Sequence, residues 1–319
     1  MSAEWVAPLA AFVACWVTLA WLLRRRHVLP MDHPNARSLH AAPTPRIGGL
    51  GIMAGIAVAS AWAANVSLLP AVLGAFALAG VSLVDDVRGL PVQMRFLVHV
   101  AVAVGCLLVL GLAGGWLVLS VLVVVWATNL YNFMDGADGL AGGMATIGFG
   151  ALALVAWMAG AQAVAAFCGA LTSASLAFLC FNFPPARLFM GDAGSIPLGF
   201  LAAVIGILGV QRGIWAWPFP LLVFLPFVAD ASVTLVRRVL KRENISQAHR
   251  SHYYQRVVMM GATHRQLAWV AYALMLAMAA LAFAQHLRPE YSNGSILTAV
   301  LLHLAVFLGI DYRWRQFQR

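Results

Sequence analysis

Four polar residues at a constant interval of three, Asn129, Asn132, Asp135 and Asp138, follow the uncharged run WLVLSVLVVVWAT at 116–128. On a helix that interval stacks side chains along one face. Amides and carboxylates set against lipid are costly, so the stripe must look into something polar. Asp138, followed by Gly139, could alternatively cap the next helix. Two further acidic features stand at the ends of other apolar runs. Asp85 and Asp86 are adjacent in LVDDVRGLP, where mutual repulsion calls for a cation, and Arg88 and Arg95 are close in sequence. Asp192 sits in FMGDAGS, among small residues that let a ligand approach the backbone and at a helix start whose free N–H groups suit phosphate. The plain structural alternatives are a solvated helix end for the pair and a helix cap for Asp192.

Carboxylate oxygens without Cys or His spacing favour Mg²⁺ or Mn²⁺ over zinc. Ringed by arginine, they suit phosphoryl transfer, in which metal and guanidinium offset the charge of two anionic reactants. There is no P-loop, and the single lysine is Lys241, which argues against Walker-type nucleotide hydrolysis. A basic segment, RRVLKRENISQAHRSHYYQRVVMMGATHR at 237–265, offers His249, Arg250, His252 and Arg256 to an anionic sugar nucleotide, with Tyr253 and Tyr254 for stacking. The alternative there is a basic loop beside the membrane. HxxH without the glutamate of HExxH is a poor zinc signal.

The elements that must position these groups are membrane helices. Of 319 residues, 62% are hydrophobic and 10% charged, against about 45–50% and about 25% in soluble domains. The apolar runs lack the two-residue alternation of barrel strands. Eleven spans are expected, at 5–23, 47–64, 67–84, 96–112, 115–131, 141–160, 163–181, 195–211, 214–236, 266–285 and 294–310. Arg24, Arg25 and Arg26 follow the first run and Glu4 precedes it, the reverse of a cleavable leader, so a retained helix is expected. Alternating the spans from an outside N-terminus puts 18 of the 20 Lys and Arg on the inner side, leaving only Arg212 and Arg288 outside. The C-terminus is then cytoplasmic, as are the ends carrying Asp85, Asp86, Asp135, Asp138 and Asp192. The +9 charge reads as cytoplasmic-leaflet bias, and nothing in it suggests nucleic acid. Asp230 lies inside the ninth span, where a carboxylate needs a partner or a task. Cys15, Cys106, Cys168 and Cys180 lie within apolar runs and read as small packing residues. The whole chain, 1–319, reads as one all-α polytopic domain.

Five blocks in order, DHPNARSLHAAPTPRIGG (32–49), LVDDVRGLP (83–91), NLYNFMDGADGLAGG (129–143), FMGDAGS (189–195) and HRSHYYQR (249–256), resemble the polyprenyl-phosphate N-acetylhexosamine-1-phosphate transferases. The resemblance implies transfer of N-acetylhexosamine-1-phosphate from a UDP-sugar to undecaprenyl phosphate, giving undecaprenyl-diphospho-N-acetylhexosamine and UMP. It implies Mg²⁺ on Asp192, with Asp85 and Asp86 as further metal or catalytic groups, Asp135 and Asp138 catalytic, and Asn129, Asn132, Arg46, Arg95, His249, Arg250, His252 and Arg256 on the substrates. The partners so implied are undecaprenyl phosphate, a UDP-N-acetylhexosamine and the bilayer of the bacterial inner membrane, with a homodimer as an admissible assembly. HRSHYYQR lacks the run of consecutive histidines of the peptidoglycan translocases. This favours the O-antigen-initiating branch over phospho-N-acetylmuramoyl-pentapeptide transfer and leaves the hexosamine open. A lipid or ion-coupled transporter is the alternative of another class; its site would lie near mid-bilayer, often between inverted repeats, and neither feature is visible here.

Overall fold

The computed structural model describes residues 3–25, 31, 32, 34, 39, 42–62, 68–244 and 249–319. Among these the chain is helical almost throughout: α1 (Ala3–Arg24), α2 (Gly48–Trp62), α3 (Leu69–Arg88), α4 (Val92–Val109), α5 (Gly114–Phe133), α6 (Leu140–Met158), α7 (Gln162–Asn182), α8 (Asp192–Gln211), α9 (Pro218–Leu240), α10 (Tyr253–Met259), α11 (His264–Leu287) and α12 (Ser292–Phe317). Two short strands, β1 (Met31–Asp32) and β2 (Thr44–Pro45), pair antiparallel. Among the described residues ten helices are long and apolar enough to cross a membrane, and all ten coincide with expected spans. The remaining expected span, 47–64, is the shorter helix α2, beyond which residues 63–67 lie outside the described set. This is an all-α polytopic membrane protein.

A helix in lipid satisfies its own backbone, so the outer faces can be apolar without penalty. Trp116, Val109, Leu240 and Val270 are among the large side chains exposed there. Without a hydrophobic drive between helices, association depends on close packing and small residues. The centre is α8, the most buried of the spanning helices, which packs on α5, α3 and α2. Gly194 on α8 faces Gly49 on α2, and Gly199 faces the backbone of Ala127 and Thr128 on α5; at either place a side chain would collide. Small residues therefore bring together the helix ends that carry the candidate chemistry. Around this centre, α1 packs on α2 and α7, α6 on α7, and α11 on α9.

Candidate active site

The polar stripe is divided between a helix and a turn. α5 ends at Phe133, and the next helix starts only at Leu140. Asn129 and Asn132 are on the last turns of α5, whereas Asp135 and Asp138 lie in the non-helical segment between. The expectation of a single helical face is corrected accordingly. Gly139 marks the break: it adopts φ +77°, a left-handed conformation that side chains resist. Gly139, not Asp138, occupies the capping position of α6, and its N–H donates to Oδ1 of buried Asn182 at 2.8 Å. Nδ2 of the same Asn182 donates to the carbonyl of Leu188 at 2.9 Å, tying this turn to the FMGDAGS segment. Asp138 accepts the N–H of Ala186 at 3.0 Å and lies 3.0 Å from Nδ1 of His264.

FMGDAGS is fixed from its other side by the start of α2. The first N–H groups of a helix have no partner within it, and here those of Gly48 and Gly49 donate to the carbonyls of Phe189 and Met190, each at 2.8 Å. Phe189 in turn donates to Pro45 at 2.8 Å, and Arg46 forms a β-bridge with Phe189. These backbone bonds carry Arg46 over to Asp192. Gly191 has φ +70°, again a position suited to glycine, and α8 begins at the next residue, so Asp192 sits in its first turn. Ser195, one turn on, donates to Oδ1 of Asn132 at 2.7 Å and joins α8 to α5.

The result is a cavity of about 330 Å³ whose wall includes Asn132, Asp135, Asp138, Asp192 and Arg46, together with Asn182, Gln255 and His264. Burial, and next the charge of Asp192, hold the Asp135 carboxyl well above the usual carboxylate range, while Arg46 and the Gly191 N–H oppose that shift. Asp135 and Asp192 crowd one another, with the guanidinium groups of Arg46 and Arg95 near Asp192, and their oxygens make a donor set that fits a hard divalent cation. Among the described residues no three His, Cys, Asp or Glu are grouped to hold a metal by themselves. Asp85, Asp86 and Asp192 are therefore no ready-made cage, and substrate phosphate oxygens would have to complete the shell, as they commonly do for Mg²⁺.

The LVDDVRGLP block, like Arg95 and Asn129, is not part of the cavity lining and is linked to it through charge, Asp85 and Asp86 both interacting with Asp192. Asp85 accepts the Leu90 N–H at 2.6 Å and Arg95 at 2.8 Å, one on each carboxylate oxygen. Asp86 is exposed, and its charge interacts with Asp192 and Arg46. Asn129 donates to the Val125 carbonyl at 2.7 Å and also bonds to His99 of α4.

The histidine block is placed differently from a plain ligand-facing loop. His252 is buried with Nδ1 3.2 Å from Asp230, and Tyr253 stacks on Phe307 with ring centroids 4.0 Å apart. Arg256 is 3.0 Å from Asp311 on α12, outside the cavity wall. His249 is half-buried and stacks on His252 at 5.0 Å, and Arg250 is exposed. Burial, His252 and Arg238 lower the His249 pKa to about 4. Within the block it is Gln255 that reaches the cavity. Asn182, Gln255 and His264 are cavity residues that sequence reasoning passed over. Asn182 carried a signal, since an amide at the end of an apolar run just before two prolines needs a partner; a lone Gln or His carried none.

Fold and site together define a polytopic helical membrane protein with an acid-lined cavity at the ends of its spans. Residues 68–210 match the family model described as Glycosyl transferase family 4. The Escherichia coli (strain K12) protein "Undecaprenyl-phosphate alpha-N-acetylglucosaminyl 1-phosphate transferase" is 29% identical over 316 residues, 87% of this chain and 82% of its own length. A Bacillus subtilis (strain 168) protein, "Probable undecaprenyl-phosphate N-acetylglucosaminyl 1-phosphate transferase", is 29% identical over 265 residues, 76% of this chain and 74% of its own. A "Phospho-N-acetylmuramoyl-pentapeptide-transferase" of Shouchella clausii (strain KSM-K16) is 49% identical, but over 96 residues, 30% of each chain. By these matches the chain is similar to polyprenyl-phosphate N-acetylhexosamine-1-phosphate transferases.

Proposed function

We propose that this protein transfers N-acetylhexosamine-1-phosphate from a UDP-sugar to undecaprenyl phosphate at the cytoplasmic face of the bacterial inner membrane, initiating a cell-envelope polysaccharide such as O-antigen. The observation that carries it is the cavity walled by Asp135, Asp138, Asp192, Asn132 and Arg46 at the ends of membrane helices. The lipid phosphate oxygen bonds to the β-phosphorus of the nucleotide, the bridge from that phosphorus to the α-phosphate breaks, and UMP leaves with the bridging oxygen. A phosphomonoester has its second pKa near about 6, so the acceptor is largely dianionic at neutral pH and needs little deprotonation. Both oxygens of Asp85 are already engaged, which suits a positioning role rather than that of a base. Arg46 offsets the charge of the donor diphosphate, and Asn132 is held for hydrogen bonding by Ser195. Mg²⁺, held by Asp192 with Asp135 or Asp86, would supply further positive charge on the diphosphate. The positive-inside bias supports an N-terminus outside and a C-terminus in the cytoplasm.

The test uses purified protein, undecaprenyl phosphate, Mg²⁺ and a panel of UDP-N-acetylhexosamines, with UDP-N-acetylmuramoyl-pentapeptide included. Lipid-dependent UMP release from one hexosamine donor, abolished by chelator, is expected. UMP only from the muramoyl-pentapeptide donor would move the protein to the peptidoglycan branch, and UMP from no donor would overturn the reading.

A further inference from the structure

Asp230 is 5% exposed and lies inside α9, and the transfer just described gives it no task. A carboxylate there must be compensated, and a surplus of donors converges on it. Its Oδ1 accepts the N–H of Tyr253 at 3.0 Å and the hydroxyl of Thr234 at 3.2 Å. Its Oδ2 accepts the N–H of Tyr254 at 3.0 Å. Nδ1 of His252 lies 3.2 Å from Oδ1. A carboxylate only accepts, so Nδ1 must carry the proton and Nε2 of a neutral ring is left as an acceptor. The same turn is tied to the cavity. The Tyr254 hydroxyl donates to the carbonyl of Phe133, next to Asn132, at 3.0 Å. Gln255 accepts the His252 N–H at 3.2 Å, bonds to Tyr254, and forms part of the cavity wall.

We infer that Asp230 is a positioning residue. From within a spanning helix it fixes the tautomer of His252 and the first turn of α10, and so holds Gln255 against the donor cavity. The inference rests on the transfer reading for its consequence, though not for its geometry.

The test pairs kinetics with a tautomer measurement. Asp230→Asn keeps the size of the side chain but turns one acceptor into a donor, and kcat/KM for the UDP-sugar is expected to fall about 10–100-fold. In a protein already carrying His252→Asn and Gln255→Ala, the same substitution should cost less than about threefold, because its effect passes through those residues. Wild-type-like kcat/KM in Asp230→Asn, or a loss that multiplies fully onto that background, overturns the inference. Should Asp230→Asn not fold, nitrogen NMR of ¹⁵N-histidine-labelled wild-type protein decides. An Nδ1-protonated His252 is expected, and an Nε2-protonated neutral ring would overturn the inference alone. Absence of lipid-dependent UMP from the wild type would instead overturn the transfer reading, and the positioning role with it.

Discussion

Gly199→Ala should separate the two helices that build the cavity. A Cβ at this position would lie 2.5 Å from the carbonyl oxygen of Ala127 and 2.7 Å from Cβ of Tyr131, both on α5. Ordinary contact starts at 3.4 Å, so relief requires a displacement of about 0.9 Å, and a helical carbonyl cannot rotate away as a side-chain tip would. Gly199 is one turn beyond Ser195. If the shift is transmitted, the 2.7 Å bond from Ser195 to Asn132 opens to about 3.6 Å, outside hydrogen-bonding range. Misplacement on the order of 1 Å costs roughly 10²-fold in turnover. Overpacking of this kind costs about 1–3 kcal/mol of stability, less up to about 1 kcal/mol returned by alanine's better helix propensity. The assay is lipid-dependent UMP release, alongside thermal unfolding in detergent. Gly150→Ala serves as the control, because its Cβ would meet Thr172 at a comfortable 3.6 Å. Gly199→Ala with turnover within twofold of the wild type would refute the claim that the α5–α8 approach sets the site.

Asp192→Asn and Asp135→Asn should each lower kcat by about 10²–10³-fold while leaving the thermal transition in place, since both carboxylates face the cavity and not the packing core. Asn182→Ala should lower stability by about 1–3 kcal/mol, read as a lower unfolding temperature, because it strands the buried N–H of Gly139 and the carbonyl of Leu188. His249 has a pKa lowered to about 4 in the folded protein, against an unperturbed value of about 6.5. Between these values the unfolded chain binds the extra proton, so stability is complete above about pH 6.5 and is lost as the pH falls towards 4. His249→Gln should flatten that loss; identical acid profiles for the two proteins would show that His249 does not contribute.

The spans were legible because lipid imposes one rule along the whole chain, and basic residues mark the helix ends. Asp85, Asp135 and Asp192 were legible as candidates because a carboxylate beside an apolar run requires a reason. The turn after Phe133 was legible only in part: a spacing of three fits a continuous helix, and only Gly139 after Asp138 pointed to a new helix start. Nor was the division of labour in HRSHYYQR. Its residue types suit phosphate and base contacts, yet Arg256 is taken by Asp311 and His252 by Asp230, partners 55 and 22 residues away. Those are tertiary facts, invisible to local pattern. Asp230 had been singled out as needing a partner, and the structure supplies it.

The central claim is that a phosphosugar, and not a bare sugar, passes to the lipid. The most direct measurement supplies a UDP-N-acetylhexosamine carrying ³²P at the β-phosphate, together with undecaprenyl phosphate, and follows the label. The account predicts radioactivity in the lipid fraction and unlabelled UMP in the aqueous one. Label retained in aqueous UDP, or appearing there as free sugar phosphate while the lipid stays cold, would contradict it.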